Sequence, residues 1–192
     1  MPYFLHCHPW SACPAVTGIT VAVTRKTPAA LHLHYQLTGD IAALCLPEQT
    51  APHRGEKLWE HSCFEIFLRT PGNLAYTEYN FAPTSAWAAY VFSAYRKGHQ
   101  ISADSIAEEF PPPDIRTQRS ATAYDMQVDL SLPPFADITR APVLQIGLSA
   151  IVEDAAGAIS YWALAHPDGK ADFHHDACFA AFLEKEHYEI RS

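Results

Sequence analysis

Leu31-His32-Leu33-His34-Tyr35-Gln36-Leu37-Thr38 alternates an apolar residue with a polar one at every step. A period of two places successive side chains on opposite faces of an extended chain, so this segment predicts a half-buried strand with Leu31, Leu33, Tyr35 and Leu37 inward. The same period recurs in Ile19, Val21 and Val23, and in Tyr124, Met126, Val128 and Leu130. Leu144, Ile146, Leu148, Ala150 and Val152 mark another strand. No segment carries a long capped stripe of period 3.6, and fifteen prolines disfavour helix.

Turn residues divide these strands. Thr70-Pro71-Gly72-Asn73 predicts a hairpin between 58–69 and 74–82. Pro83-Thr84-Ser85 turns the chain into 86–96, and Glu153-Asp154-Ala155-Ala156-Gly157 joins 143–152 to 159–165. The stretches 97–118 and 166–177 read as long surface loops. The pattern predicts an all-β fold, an antiparallel β-sandwich of jelly-roll or immunoglobulin-like shape with about ten strands and few short helices.

Composition bounds the function classes. The 192 residues suit a single domain over 1–192 with a full core, and 48% hydrophobic residues is an ordinary globular share. A formal net charge of -8 argues against a nucleic-acid or anionic-membrane surface. No apolar run reaches the length of a membrane span, and the start Met1-Pro2-Tyr3-Phe4-Leu5 does not read as a signal peptide. Cys7, Cys13, Cys45, Cys63 and Cys178 are odd in number and scattered, which fits reduced thiols in a cytoplasmic protein.

Two stretches concentrate aromatic rings beside ionisable groups. The first is Leu58-Trp59-Glu60-His61-Ser62-Cys63-Phe64-Glu65-Ile66-Phe67-Leu68. Read as one continuous strand, it sends Trp59, His61, Cys63, Glu65 and Phe67 to one face, too polar for a dry core. The bland reading has Trp59 covering a sheet edge and Glu65 paired with an Arg. Across the hairpin, Tyr76, Glu78 and Asn80 share a face, and Trp87 opens the next strand, which ends in Tyr95-Arg96. Simple hairpins bring Glu65, Glu78, Asn80 and Trp87 together, although Asn80 also suits a turn-capping role near Pro83.

The second stretch is Tyr161-Trp162-Ala163-Leu164-Ala165-His166, followed by Lys170 and by Asp172-Phe173-His174-His175. Clustered His raises a metal, but the spacing matches no HExxH motif and no carboxylates complete a ligand set, so no metal is expected. His6 and His8 supply only two ligands. No GxSxG, P-loop or GxGxxG is present. Glu65 with Glu78 is the one carboxylate pair suited to glycoside hydrolysis.

With those residues in view, the chain resembles the bacterial DOMON-like proteins related to the family 9 carbohydrate-binding modules. The resemblance rests on 58–67, on Tyr76-Thr77-Glu78-Tyr79-Asn80-Phe81-Ala82-Pro83, on Trp87-Ala88-Ala89-Tyr90, on Tyr161-Trp162-Ala163-Leu164 and on 170–175. It implies a domain in which Trp59 and Trp162 clamp a small carbohydrate-like ligand and Glu65 bonds its hydroxyls; the family's secreted members are usually appended to an enzyme, whereas this chain is expected to stand alone. Asn80 and Arg96 carry over as further hydroxyl partners, with Glu78, Trp87, His166, His174 and His175 as neighbouring candidates. No catalysis and no cofactor are expected. The alternatives are a haem-binding redox module, for which Met126 is the one internal Met, and an enzyme acting through Glu65 or His166.

Overall fold

The computed structural model describes residues 1–100, 110–133 and 137–185. Thirteen strands lie among them: β1 (Tyr3–Cys7), β2 (Val16–Thr27), β3 (Ala30–Gly39), β4 (His53–Arg54), β5 (Cys63–Arg69), β6 (Tyr76–Phe81) and β7 (Ala86–Ala94), then β8 (Lys97–Gln100), β9 (Asp114–Arg119), β10 (Ala123–Ser131), β11 (Val143–Glu153), β12 (Ile159–Ala163) and β13 (Ala181–Glu184). Among the described residues, the one α-helical turn, α1, is Asp137–Arg140.

Hydrogen bonding follows a single path, β4-β7-β6-β5-β11-β12-β1-β2-β3-β10-β9, with β8 added on β7 and β13 on β11. The path crosses between the two halves through β1. Its Tyr3–Leu5 pair with β2, whereas His6 and Cys7 pair with β12. The strand count therefore exceeds the ten expected, and the strands form one curled, continuous sheet. Among the described strands, only β4 and β7 pair in parallel.

The inner faces meet in one core. Leu33, Tyr35 and Leu37 of β3 and Tyr124, Met126 and Val128 of β10 come from one half. Phe64, Ile66 and Leu68 of β5, Tyr79 and Phe81 of β6, and Leu144, Ile146 and Leu148 of β11 come from the other. The Tyr35 hydroxyl crosses between halves and donates to the Glu65 carbonyl at 2.7 Å. The Phe64 ring stacks on Tyr124 with centroids 5.9 Å apart. Alternation on β3 and β10 is as the sequence predicts, and Met126 is fully buried in this core.

Two expectations on element bounds change. Residues Leu58–Glu60 form a 3-10 turn, and the strand begins only at Cys63. Lys57, before the turn, is left-handed at φ 52°, which an extended strand does not permit. The stretch 97–118 contains β8 and β9, while 101–109 lies outside the described residues.

A second apolar cluster lies on the outer face of β5, β6, β7, β11 and β12, built around Cys63, Phe67, Tyr76, Tyr90, Phe92, Ile151 and Phe179. The loop from Leu164 to Phe179 covers part of it. Gly147 of β11 permits that approach, because a Cβ there would stand 3.0 Å from the Cys178 carbonyl oxygen. Gln145 Nε2 donates to the Phe179 carbonyl at 2.9 Å, and Arg69 pairs with Asp176 at 2.6 Å while lying 4.1 Å above the Phe179 ring. A sheet face that would otherwise meet water thus becomes the base of a concavity.

Candidate functional site

The concavity is a cleft of about 340 Å³. Four neighbouring strands and β12 lay its floor in a row: Tyr90 on β7, Glu78 on β6, Glu65 and Phe67 on β5, Ile151 on β11 and Tyr161 on β12. Trp59 of the 3-10 turn, Arg96 of the β7–β8 turn, and Asp172, Phe173 and His174 of the long loop form the walls. Trp59 is 41% exposed at the rim and meets Tyr90 edge to face, with centroids 5.7 Å apart. Tyr161 and Phe173 make the corresponding contact at 6.1 Å. The cleft thus has aromatic walls and an acidic floor.

Glu65 and Glu78 are diagonal neighbours, since Glu65 pairs with Asn80 and Phe67 with Glu78. Both are buried, at 2% and 5% exposure. Ser149 Oγ donates to Glu65 Oε2 at 2.9 Å. Burial first, and then the Glu78 charge, push the Glu65 carboxyl well above the ordinary range. Burial raises Glu78 to about 7, while Asn80 and Arg96 favour its ionised form. Two carboxyls so placed titrate as a pair.

The Asn80 side chain is fully buried beside Glu65, and neither its oxygen nor its nitrogen closes a hydrogen bond of good geometry. The Tyr90 hydroxyl is also buried and unpartnered; the Lys57 amide approaches it without closing a bond. Burial, and then Glu65 and Glu78, push the Cys63 thiol well up, which leaves it an inert core group.

One wall is a relay of polar contacts. The Arg96 backbone N–H donates to Tyr76 Oη at 3.2 Å, so that hydroxyl donates onward to His174 Nδ1 at 2.8 Å. His174 then carries its proton on Nε2, 3.8 Å from Glu78 Oε2. Burial among Phe67, Phe92 and Tyr76, and next the Arg96 charge, pull the His174 pKa down to about 4, so the ring is neutral. Arg96 Nη2 donates to Asp172 Oδ1 at 2.7 Å. Arg96 itself is left-handed at φ 53°, a strained backbone for a residue with a Cβ.

Of the residues read from the sequence, Trp59, Glu65, Glu78, Arg96 and His174 meet in this cleft. Asn80 lies under its floor. The others are corrections. Trp162 is on the opposite face of β12, in the main core, with Nε1 donating to Ser160 Oγ at 3.0 Å. Trp59 and Trp162 therefore cannot clamp one ligand between them. Trp87 pairs with Phe81, and that register turns it into the core, where the Arg54 guanidinium lies 4.3 Å from its ring. His166 bonds the His6 carbonyl at 2.8 Å and stands against His8, away from the cleft. His175 accepts from the Ala177 N–H at 3.2 Å and caps a 3-10 turn. Tyr161 and Asp172 belong to the site and were not selected from the sequence. Tyr161 was available one position from Trp162, on the other side of the pleat.

Among the described residues, no group of three or more His, Cys, Asp or Glu side chains is arranged to hold a metal ion. All five cysteines are unbridged. Among the described residues, no helix is long and apolar enough to cross a membrane.

No family model matches the chain, and no curated protein does. Among solved structures, it is similar to a proposed carbohydrate-binding protein from Bacteroides uniformis ATCC 8492. The two superpose with a TM-score of 0.59 at 12% identity, covering 97% of this chain and 85% of the other. At that identity the two share a fold.

Proposed function

We propose that the chain is a binding domain for a small carbohydrate-like ligand, held in the cleft between Trp59 and Tyr161 over the Glu65–Glu78 floor. The observation that carries this reading is a concavity with aromatic rings at its rim and buried, incompletely bonded polar groups at its base. Sugar rings present apolar C–H faces to aromatic rings and hydroxyl edges to carboxylates and amides, so one ligand would satisfy both kinds of wall. The fold shared with the Bacteroides uniformis protein supports the same reading, as does the resemblance to the jelly-roll modules of family 9. The clamp differs from the one the sequence suggests, because Tyr161 takes the place of Trp162.

A screen of mono- and disaccharides by calorimetry, with Trp fluorescence as a second readout, tests the proposal. Dissociation constants between micromolar and millimolar are expected, roughly 4 to 8 kcal/mol. Trp59→Ala and Tyr161→Ala should each weaken binding by about tenfold or more, the loss of a ring worth on the order of 1 kcal/mol or above. Saccharide binding that survives both substitutions would place the site elsewhere.

A further inference from the structure

We infer that the ligand of this cleft carries a positive charge, an ammonium group that seats between Glu65 and Glu78 within reach of the Tyr90 hydroxyl. This rests on the proposed carbohydrate site and narrows its ligand to amine-bearing sugars. The argument begins with the charges that face the floor. From β5 and β6 come the two carboxyls, with the neutral thiol of Cys63 and the phenol of Tyr76 beside them. From β7 comes Tyr90, a neutral phenol. The long loop contributes Asp172, an anion, and His174, a neutral ring. Arg96 is the sole cation lining the cleft among the described residues, and it is committed to Asp172 at 2.7 Å. The lining is therefore acidic with its one cation already engaged.

Two buried carboxyls with no committed cation need either a shared proton or a bound cation. The cleft supplies what an ammonium requires. Carboxylates accept its N–H donors, and the rings of Tyr90, Trp59 and Tyr161 in the lining carry the negative π-faces that attract a cation. Tyr90 lines the cleft, and its buried hydroxyl closes no hydrogen bond of good geometry although the Lys57 amide approaches it, so it is a second pointer to a polar ligand atom on this wall. Seating the ammonium displaces the proton held by the pair. Binding should then release a proton, and affinity should fall as pH drops below about 7, where Glu78 takes its proton back.

The test uses the full chain at about pH 7.5 with glucosamine, glucose, glucuronate and ethanolamine as ligands in isothermal calorimetry. The expectation is that glucosamine binds about tenfold or more tightly than glucose, the scale of one charge-assisted contact, and that glucuronate does not bind. Glu78→Gln should erase the preference, whereas Asp129→Asn on the far face should leave it intact. Titrations in two buffers of different ionisation enthalpy should show proton release near pH 6.5, within reach of the wild-type chain even if the Gln variant fails to fold. Equal affinity for glucose and glucosamine, or binding without proton release, would overturn the charge inference and leave the carbohydrate reading standing. Ethanolamine binding with no sugar response would keep the ammonium seat and overturn the carbohydrate reading. Silence from all four ligands would remove both.

Discussion

Two polar strand faces in this molecule begin from the same kind of sequence and end in opposite electrostatic states. On β3 and β10, His32, His34, Asp125 and Asp129 alternate with core residues and face outward. His32 pairs with Asp129 at 2.9 Å and His34 with Asp125 at 2.7 Å, and Lys26 and Arg116 also reach Asp129. Bonds from Lys26, His32 and Arg116 hold the Asp129 carboxyl well below its ordinary range. On β5 and β6, Glu65 and Glu78 alternate with core residues in the same way. There the two acids are diagonal neighbours, the surrounding side chains bury both, and both carboxyls are raised. A carboxylate on a strand face is set by what lies across from it and above it. The first face is solvated and paired, which suits solubility. The second is covered and unpaired, which suits a ligand.

The largest effect that would break this contrast is on packing. If Trp162 belongs to the core, Trp162→Ala should cost about 3–5 kcal/mol in denaturant unfolding, whereas Trp59→Ala at the exposed rim should cost little. Equal and small losses at both positions would return Trp162 to the cleft.

The next effect is the pH dependence of stability. Glu65 and Glu78 hold protons more tightly in the folded chain than in the unfolded one, so stability falls as pH rises from the ordinary carboxyl range through about 7. His174, lowered from 6.5 to about 4, and His166, also lowered, act the other way below 6.5, because the unfolded chain there binds the extra protons. Above 6.5 the carboxyl pair acts alone among these groups. Between about pH 6.5 and 8 the wild-type chain should lose on the order of 1 kcal/mol, and Glu78→Gln should flatten that decline. A decline unchanged by the substitution would locate the titrating group elsewhere.

The smallest effect belongs to the outer face. Asp129→Asn removes contacts to Lys26, His32 and Arg116, but these are partly exposed and screened, so the cost should be about 1 kcal/mol or less and should shrink at high salt. The contribution is present above the ordinary Asp range and is lost as pH falls below it. A salt-insensitive loss of several kcal/mol would mean that the outer-face contacts are buried as Glu65 and Glu78 are.

Much of the site was legible because the pleat is a local rule. From Cys63 onward, Glu65 and Phe67 take one face and Phe64, Ile66 and Leu68 the other, as alternation requires. Tyr76 and Glu78 follow the same rule one strand away. Alternation failed where the chain was not a strand: Trp59 reaches the rim from a 3-10 turn, so its position does not descend from the parity of Glu65. Trp162 entered the expected clamp through the family resemblance and its polar neighbours, with no strand face assigned to it. An indole beside polar residues reads as a ligand contact, but β12 pairs with β11 so that Ser160 and Trp162 face inward and Tyr161 faces the cleft. The sequence holds both rings and does not say which face the sheet will cover.

By itself, then, the sequence determined the all-β class, the strand periods and the identity of the acids and rings that share a face, because these follow from a two-residue repeat and from turn chemistry. The tertiary structure decided which polar face is a cleft and which is a surface. That choice depends on Gly147 admitting a distant loop, on Arg96 and Asp172 closing a wall across 76 residues of chain, and on strand pairings whose register no local pattern contains. Burial of Glu65 against Glu78, and with it the raised carboxyls of the floor, exists only once those long-range contacts have formed.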